Sequence, residues 1–248
     1  MRKTVLLLLT LSVVLLSACS SKTVVPPAKD AGDYFQEGED LFEKGLYKEA
    51  IEAWEKVRDS YYSPELNTLA ELKIADAHFL AGDYIEAGVA YEAFLKNHPD
   101  HPRVPDVLYQ LGLSYTYQML APDQDQTATV YALNAFQRLK ERFPDDPRMA
   151  EVEIYIARCR NMLAASELNV AEYYLNADAY AAAINRIEGL LAKYPDFYQR
   201  DKAYFLLGRA CLLNGDREKA MMAFQTLFDN FSSSEYVPEA QSILEDHQ

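Results

Sequence analysis

A spaced set of small and large residues returns along this chain and constrains its fold more than any other feature. "GLYKEAIEAWEKV" from Gly45, "GDYIEAGVAYEAF" from Gly82 and "GDREKAMMAFQTL" from Gly215 each place an alanine five positions after the glycine, an aromatic four after that and an apolar residue three further on. The anchors are Ala50, Ala87 and Ala220, followed by Trp54, Tyr91 and Phe224. Steps of four and three put these residues on one face of a helix, and the glycine before them reads as a turn. Two looser copies are anchored at Ala132 ("ALNAFQRL") and Ala183 ("AINRIEGL"), with Phe136 and Ile187 in the aromatic position. From Tyr34 onward almost no segment alternates as a strand does, so the body is expected to be all α.

Twelve residues beyond the anchor stands Pro99, Pro144 or Pro195, where proline ends the second helix of a pair. One position earlier stands Tyr61, His98, Phe143, Tyr194 or Phe231. Reading back from the anchors, the first helices hold Tyr34, Gly38 and Leu41, then Leu108, Leu111, Gly112 and Tyr115, then Tyr204, Leu207, Gly208 and Cys211. This pattern resembles the tetratricopeptide (TPR) repeat, a helix-turn-helix unit of 34 residues. Gly and Ala stand where two helices touch, and large apolar residues fill the space beside them. A single hairpin cannot bury its apolar face, so about five copies are expected to stack into a superhelix with a concave binding side.

The anchors are 37, 45, 51 and 37 residues apart. The first long interval falls in the polar stretch "QMLAPDQDQTATV", an expected loop inside the third repeat. The second coincides with the absence of Gly and Pro from Arg148 to Tyr180, which predicts one extended central helix of about thirty residues, roughly 45 Å long. Its excess over the shorter spacing is close to four turns, which would keep one apolar face aimed at the same neighbours. "SEYVPEAQSILEDHQ" reads as a helix that caps the open apolar end.

Residues 1–18 have Arg2 and Lys3, an apolar run from Val5 to Leu16 and then Ser17 and Ala18, the layout of an export signal. The run is short of the roughly 20 apolar residues of a membrane span. Leu16-Ser17-Ala18-Cys19 resembles the lipobox of bacterial lipoproteins, in which only a thiol can form the thioether to diacylglycerol. Cys19 is therefore the expected lipidation site, and Ser20 in place of Asp favours the outer membrane, on its periplasmic face. Residues 19–33, with Pro26-Pro27 and no hydrophobic period, read as a tether, and 34–248 as the repeat domain. Removal of the leader would leave 22 basic and 38 acidic side chains, a formal charge of −16 that repels nucleic acid and anionic headgroups. Two thiols would remain, Cys159 and Cys211, too few for a disulfide scaffold.

Chemistry is hard to find in this sequence. His98 and His101 lie between prolines in an expected turn, without metal-site spacing around them. His78 occupies a first-helix core position and reads as a packed, satisfied histidine; Cys159 and Cys211 read as buried core thiols. There is no Gly-rich phosphate loop or nucleophile elbow, so neither catalysis nor a cofactor is expected.

"NVAEYYLNADAYAAAINRIEGLLAKYPD" from Asn169 is the most specific stretch. With "DQDQT" at 123–127, "HPDHP" at 98–102 and the lipobox, the chain resembles the BamD (ComL) family, TPR lipoproteins of the outer-membrane β-barrel assembly machinery. The resemblance implies a scaffold without enzymatic activity. Its N-terminal repeats, 34–147, would engage unfolded outer-membrane protein precursors. Its C-terminal repeats, 148–248, would dock on the periplasmic domain of the central barrel subunit, and other lipoproteins of that machinery would be further partners. Within "NRIEG" it implies Arg186 as a docking residue, with Asn185 and Glu188 beside it. A guanidinium can grip a carboxylate bidentately; alternatively Arg186 is a solvated charge next to Glu188. Tyr61 and Tyr62 fall where the precursor groove would begin, although Tyr61 also fills the aromatic position before the proline and can equally be core. A TPR adaptor for envelope constriction or peptidoglycan synthesis is the other reading of such a chain.

Overall fold

The computed structural model describes residues 29–59 and 63–246, so Cys19, Tyr61 and Tyr62 lie outside the described residues. Five antiparallel helix pairs follow one another. They are α1 (Ala31–Glu43) with α2 (Tyr47–Arg58), α3 (Pro64–Ala81) with α4 (Tyr84–Asn97), and α5 (Val104–Thr116) with α6 (Thr127–Arg142). Then come α7 (Met149–Asn176) with α8 (Tyr180–Lys193) and α9 (Arg200–Leu213) with α10 (Arg217–Asn230), and α11 (Val237–Asp246) closes the stack. Each helix packs on the next along the chain, which is the connectivity of a TPR superhelix. No strand occurs among the described residues.

Local chemistry sets the helix ends. The first helix begins three residues earlier than the periodicity predicts: the Asp30 carboxylate accepts from the Asp33 N–H at 2.9 Å, and the Asp33 carboxylate accepts from the Asp30 N–H at 3.0 Å. Both residues lie inside the expected tether, and this reciprocal pair satisfies amides that would otherwise have no partner. Ser63 caps α3 with Pro64 in its first turn. Gly45, Gly82 and Gly215 turn the chain between paired helices at φ of 74, 82 and 84°. In the fourth pair Asp178 takes that place at φ 56°, its carboxylate accepting from the Tyr180 hydroxyl at 2.7 Å. The degenerate copy keeps the left-handed turn without its glycine, as Asp tolerates better than most side chains.

Small residues then bring the helices together. A Cβ at Gly38 would lie 2.3 Å from Trp54, one at Gly112 2.5 Å from Phe136, and one at Gly208 2.5 Å from Phe224. The first-helix glycine thus receives the second-helix aromatic against bare backbone. The other two pairs have Ala75 and Ala171 at the equivalent place, both fully buried, opposite Tyr91 and Ile187. Gly112→Ala is accordingly expected to lower stability by about 1–3 kcal/mol through overpacking against Phe136, read as a lowered midpoint in urea unfolding.

Apolar residues gather in three cores: one around Trp54, one around Tyr91, Phe94 and Phe136, and one around Leu168, Ile187 and Phe224. The extended helix α7 belongs to two of them. Val152 and Cys159 enter the middle core, whereas Ala164, Leu168, Ala171 and Leu175 enter the last. Its length, 28 residues or about 42 Å, matches the expectation. The expectation of one continuous apolar face does not hold. Nine residues separate Cys159 from Leu168, two and a half turns, which places them on opposite sides of the helix. The two halves therefore bury different faces, and α7 is a strut shared by two stacks.

Candidate protein-interaction surfaces

The first helices of successive pairs form the inner wall of a TPR stack. Here α1, α3 and α5, with the start of α7, enclose a hollow of about 380 Å³. Phe42, Leu72 and Phe79 give it apolar walls, and Asp76, Arg103 and Gln110 give it polar ones. Leu72, Asp76, Phe79 and Leu80, at steps of four, three and one residues, line the hollow from α3.

Charge in the hollow is largely paired. Arg103 Nε donates to Asp106 at 2.6 Å. Arg148 donates from Nε and a terminal nitrogen to Asp146 at 2.9 and 2.7 Å, and lies 3.0 Å from Asp106. Its guanidinium also covers the Tyr109 ring at 4.8 Å. These bonds hold the Asp146 carboxyl below its ordinary range. Asp76 differs: its carboxylate accepts one bond, from the Tyr91 hydroxyl at 2.7 Å. Burial pushes the Asp76 carboxyl up, against the opposing effect of the tyrosine bond. Gln110 Oε1 is buried without a hydrogen-bond partner.

A second surface is the outer face of α8. Asn185, Arg186 and Glu188 are all exposed there, between the buried Ala183, Ile184, Ile187 and Leu190. Arg186 donates to Glu167 of α7 at 2.7 Å, while Glu188 lies 3.4 Å from Lys219 of α10. Arg186 and Glu188, two residues and about 200° apart on the helix, turn toward different helices, so Arg186 is tied to Glu167 and is not a free solvated charge. Beside this face, Tyr204, Leu207 and Cys211 floor a shallow hollow of about 300 Å³ with Met222 at its lip.

The remaining candidates are structural. His98 Nε2 is 2.9 Å from Glu71, and its ring packs 4.9 Å from Phe94, tying one turn to the helix before it. His78 is packed but its Nδ1 has no hydrogen bond, with the Asp83 carboxylate 3.9 Å away, so the expectation of a satisfied histidine is not met. Cys159 and Cys211 are both free and buried in separate cores, and burial pushes both thiols up to about 11. Among the described residues no group of three or more His, Cys, Asp or Glu could hold a metal ion, and no helix is long and apolar enough to cross a membrane.

A family model described as "YfiO: Outer membrane lipoprotein" matches residues 27–215, well over half of the chain. The chain belongs to the YfiO family. It is 27% identical over 240 residues to the outer membrane protein assembly factor BamD of Rickettsia prowazekii, covering 94% of this chain and 93% of that protein. The same figure, 27%, holds against BamD of Neisseria meningitidis serogroup A, over 94% of both chains. BamD of Vibrio cholerae is 28% identical over 75% of this chain and 81% of its own. Among solved structures, the TPR2AB domain of yeast Sti1 in complex with pHSP90 is similar with a TM-score of 0.45 at 11% identity, covering 87% of this chain and 84% of that one.

Within the YfiO family match, the sequence pointed to α8 but missed the hollow. Asn185, Arg186 and Glu188 are all exposed on α8, but Arg186 leans toward α7 and Glu188 toward α10. Asp76, Arg103, Gln110 and Arg148 went unremarked as site residues because they come from three helices spread over more than seventy positions.

Proposed function

We propose that this protein is a scaffold for outer-membrane protein assembly, tethered by lipid on Cys19 to the periplasmic face of the outer membrane. Near-complete end-to-end similarity to proteins named outer membrane protein assembly factor carries the reading. Its inner wall at α1, α3 and α5 holds extended segments of unfolded barrel precursors, and Tyr61 and Tyr62, outside the described residues, are the sequence's candidates for contacting them. Apolar walls with paired charges suit a guest that is unfolded and varied, because side chains bury in the hollow while polar groups at its rim accept backbone amides.

The outer face of α8 docks on the periplasmic domain of the central barrel subunit, and other lipoproteins of the same machinery bind elsewhere on the stack. Arg186 suits this role because its present partner is weak. The pair with Glu167 is solvent-exposed, at 47% and 37% of the side chains, where ion pairs contribute little. A partner carboxylate in a dry interface competes well for the same guanidinium. Arg186→Glu is expected to reduce recovery of the barrel subunit at least tenfold when this protein is captured from solubilised outer membrane, with the thermal midpoint little changed. Equal recovery would remove Arg186 from the interface; recovery of peptidoglycan synthases in place of the barrel subunit would replace the assembly reading.

A further inference from the structure

We infer that the hollow at α1, α3 and α5 selects segments that carry a cationic side chain beside an apolar one, with Asp76 as the receptor for the cation. The inference rests on the reading of the inner wall as a polypeptide-binding surface and adds what that surface prefers.

Three observations lead there. First, the cations already in the hollow are committed: Arg103 and Arg148 face the carboxylates of Asp106 and Asp146 at 2.6–3.0 Å. Lys73, on the same helix as Asp76, is held 2.9 Å from Glu39 on α1. A guest carboxylate would find no free positive charge. Second, the groups left over are acceptors. Asp76 accepts a hydrogen bond from the Tyr91 hydroxyl alone, with Arg103 and Lys73 attracting its charge from farther off, and Gln110 Oε1 has no partner. A desolvated carboxylate with a single neutral donor is costly, and a guest ammonium or guanidinium removes that cost by completing its bonds. Third, Phe42 and Phe79 stand in the same wall. Aromatic faces attract cations and also receive the methylene stem of Arg or Lys and a neighbouring apolar side chain.

Burial pushes the Asp76 carboxyl up, so folding works against its charge. The geometry matches: a partly buried carboxylate with one neutral donor opens into a cleft where a guest cation can reach it.

The test uses the full chain in detergent micelles and three unstructured 12-residue peptides of Gly, Ser and one phenylalanine. These differ only in the residue beside the phenylalanine: arginine, citrulline or norleucine. Citrulline keeps arginine's planar shape and part of its N–H donors without its charge. The expected result is binding of the arginine peptide about tenfold tighter than the citrulline peptide, with a steeper loss on raising salt. Asp76→Asn should bring the two affinities together while leaving the citrulline peptide and the thermal midpoint nearly unchanged. Equal affinity of the unaltered chain for arginine and citrulline peptides overturns cation selection while leaving the groove as a binding surface, provided Phe79→Ala weakens both. Binding indifferent to Phe79→Ala, or no binding of any peptide, overturns the groove reading and the inference with it.

Discussion

Phe136→Ala is expected to lower the unfolding free energy by about 3–5 kcal/mol, the largest loss from a single side chain in the middle of the stack. Phe136 is fully buried and stacks on Tyr155 of α7 at 5.0 Å, with their rings 5° apart. Its edge lies against Gly112 of α5. One side chain thus joins the paired helices of the third repeat to the strut that follows. Removing it leaves a cavity between three helices, which a stack held at both ends cannot readily close. Circular dichroism at 222 nm during urea unfolding measures the loss, and a change below about 1 kcal/mol would contradict the packing described. The cost of Gly112→Ala should nearly vanish in the Phe136→Ala background, because the added methyl then occupies vacated space. A double-mutant cycle reads that coupling directly.

The second large effect concerns attachment. Exchanging residues 1–18 for a leader cut by ordinary signal peptidase, together with Cys19→Ser, is expected to move the protein from the membrane fraction to the soluble periplasm almost completely. No helix among the described residues can cross a bilayer, and the formal charge of −16 (22 basic, 38 acidic) left after the leader is cut disfavours anionic headgroups. Each acyl chain contributes about 0.8 kcal/mol per buried CH₂, so several chains on Cys19 would hold the protein where one alone is marginal. Fractionation measures the shift, after a wash in high salt to remove protein held only by partners. Retention of most of the altered protein in washed membranes would show that lipid on Cys19 is not the anchor.

The repeat was legible because its constraints are local and periodic. Gly45, Ala50, Trp54 and Val57 declare a turn and one buried helical face within thirteen residues, and the structure places all of the anchor alanines at zero exposure. The absence of Gly and Pro after Arg148 likewise declared α7. Its change of buried face did not follow from that absence, because which side of a helix is covered depends on neighbours that arrive from elsewhere in the chain.

The amino-acid sequence alone determined helix pairs, their number, the long strut and an outward-facing Arg186, since each depends on spacing within a few turns. Tertiary structure alone decided the hollow with its unmet acceptors, the pairing of Arg186 with Glu167 across nineteen residues, and the separate cores that keep Cys159 and Cys211 apart. These depend on how successive hairpins are rotated against one another. That rotation is the sum of many side-chain contacts at the four interfaces between the five pairs, and no single segment encodes it.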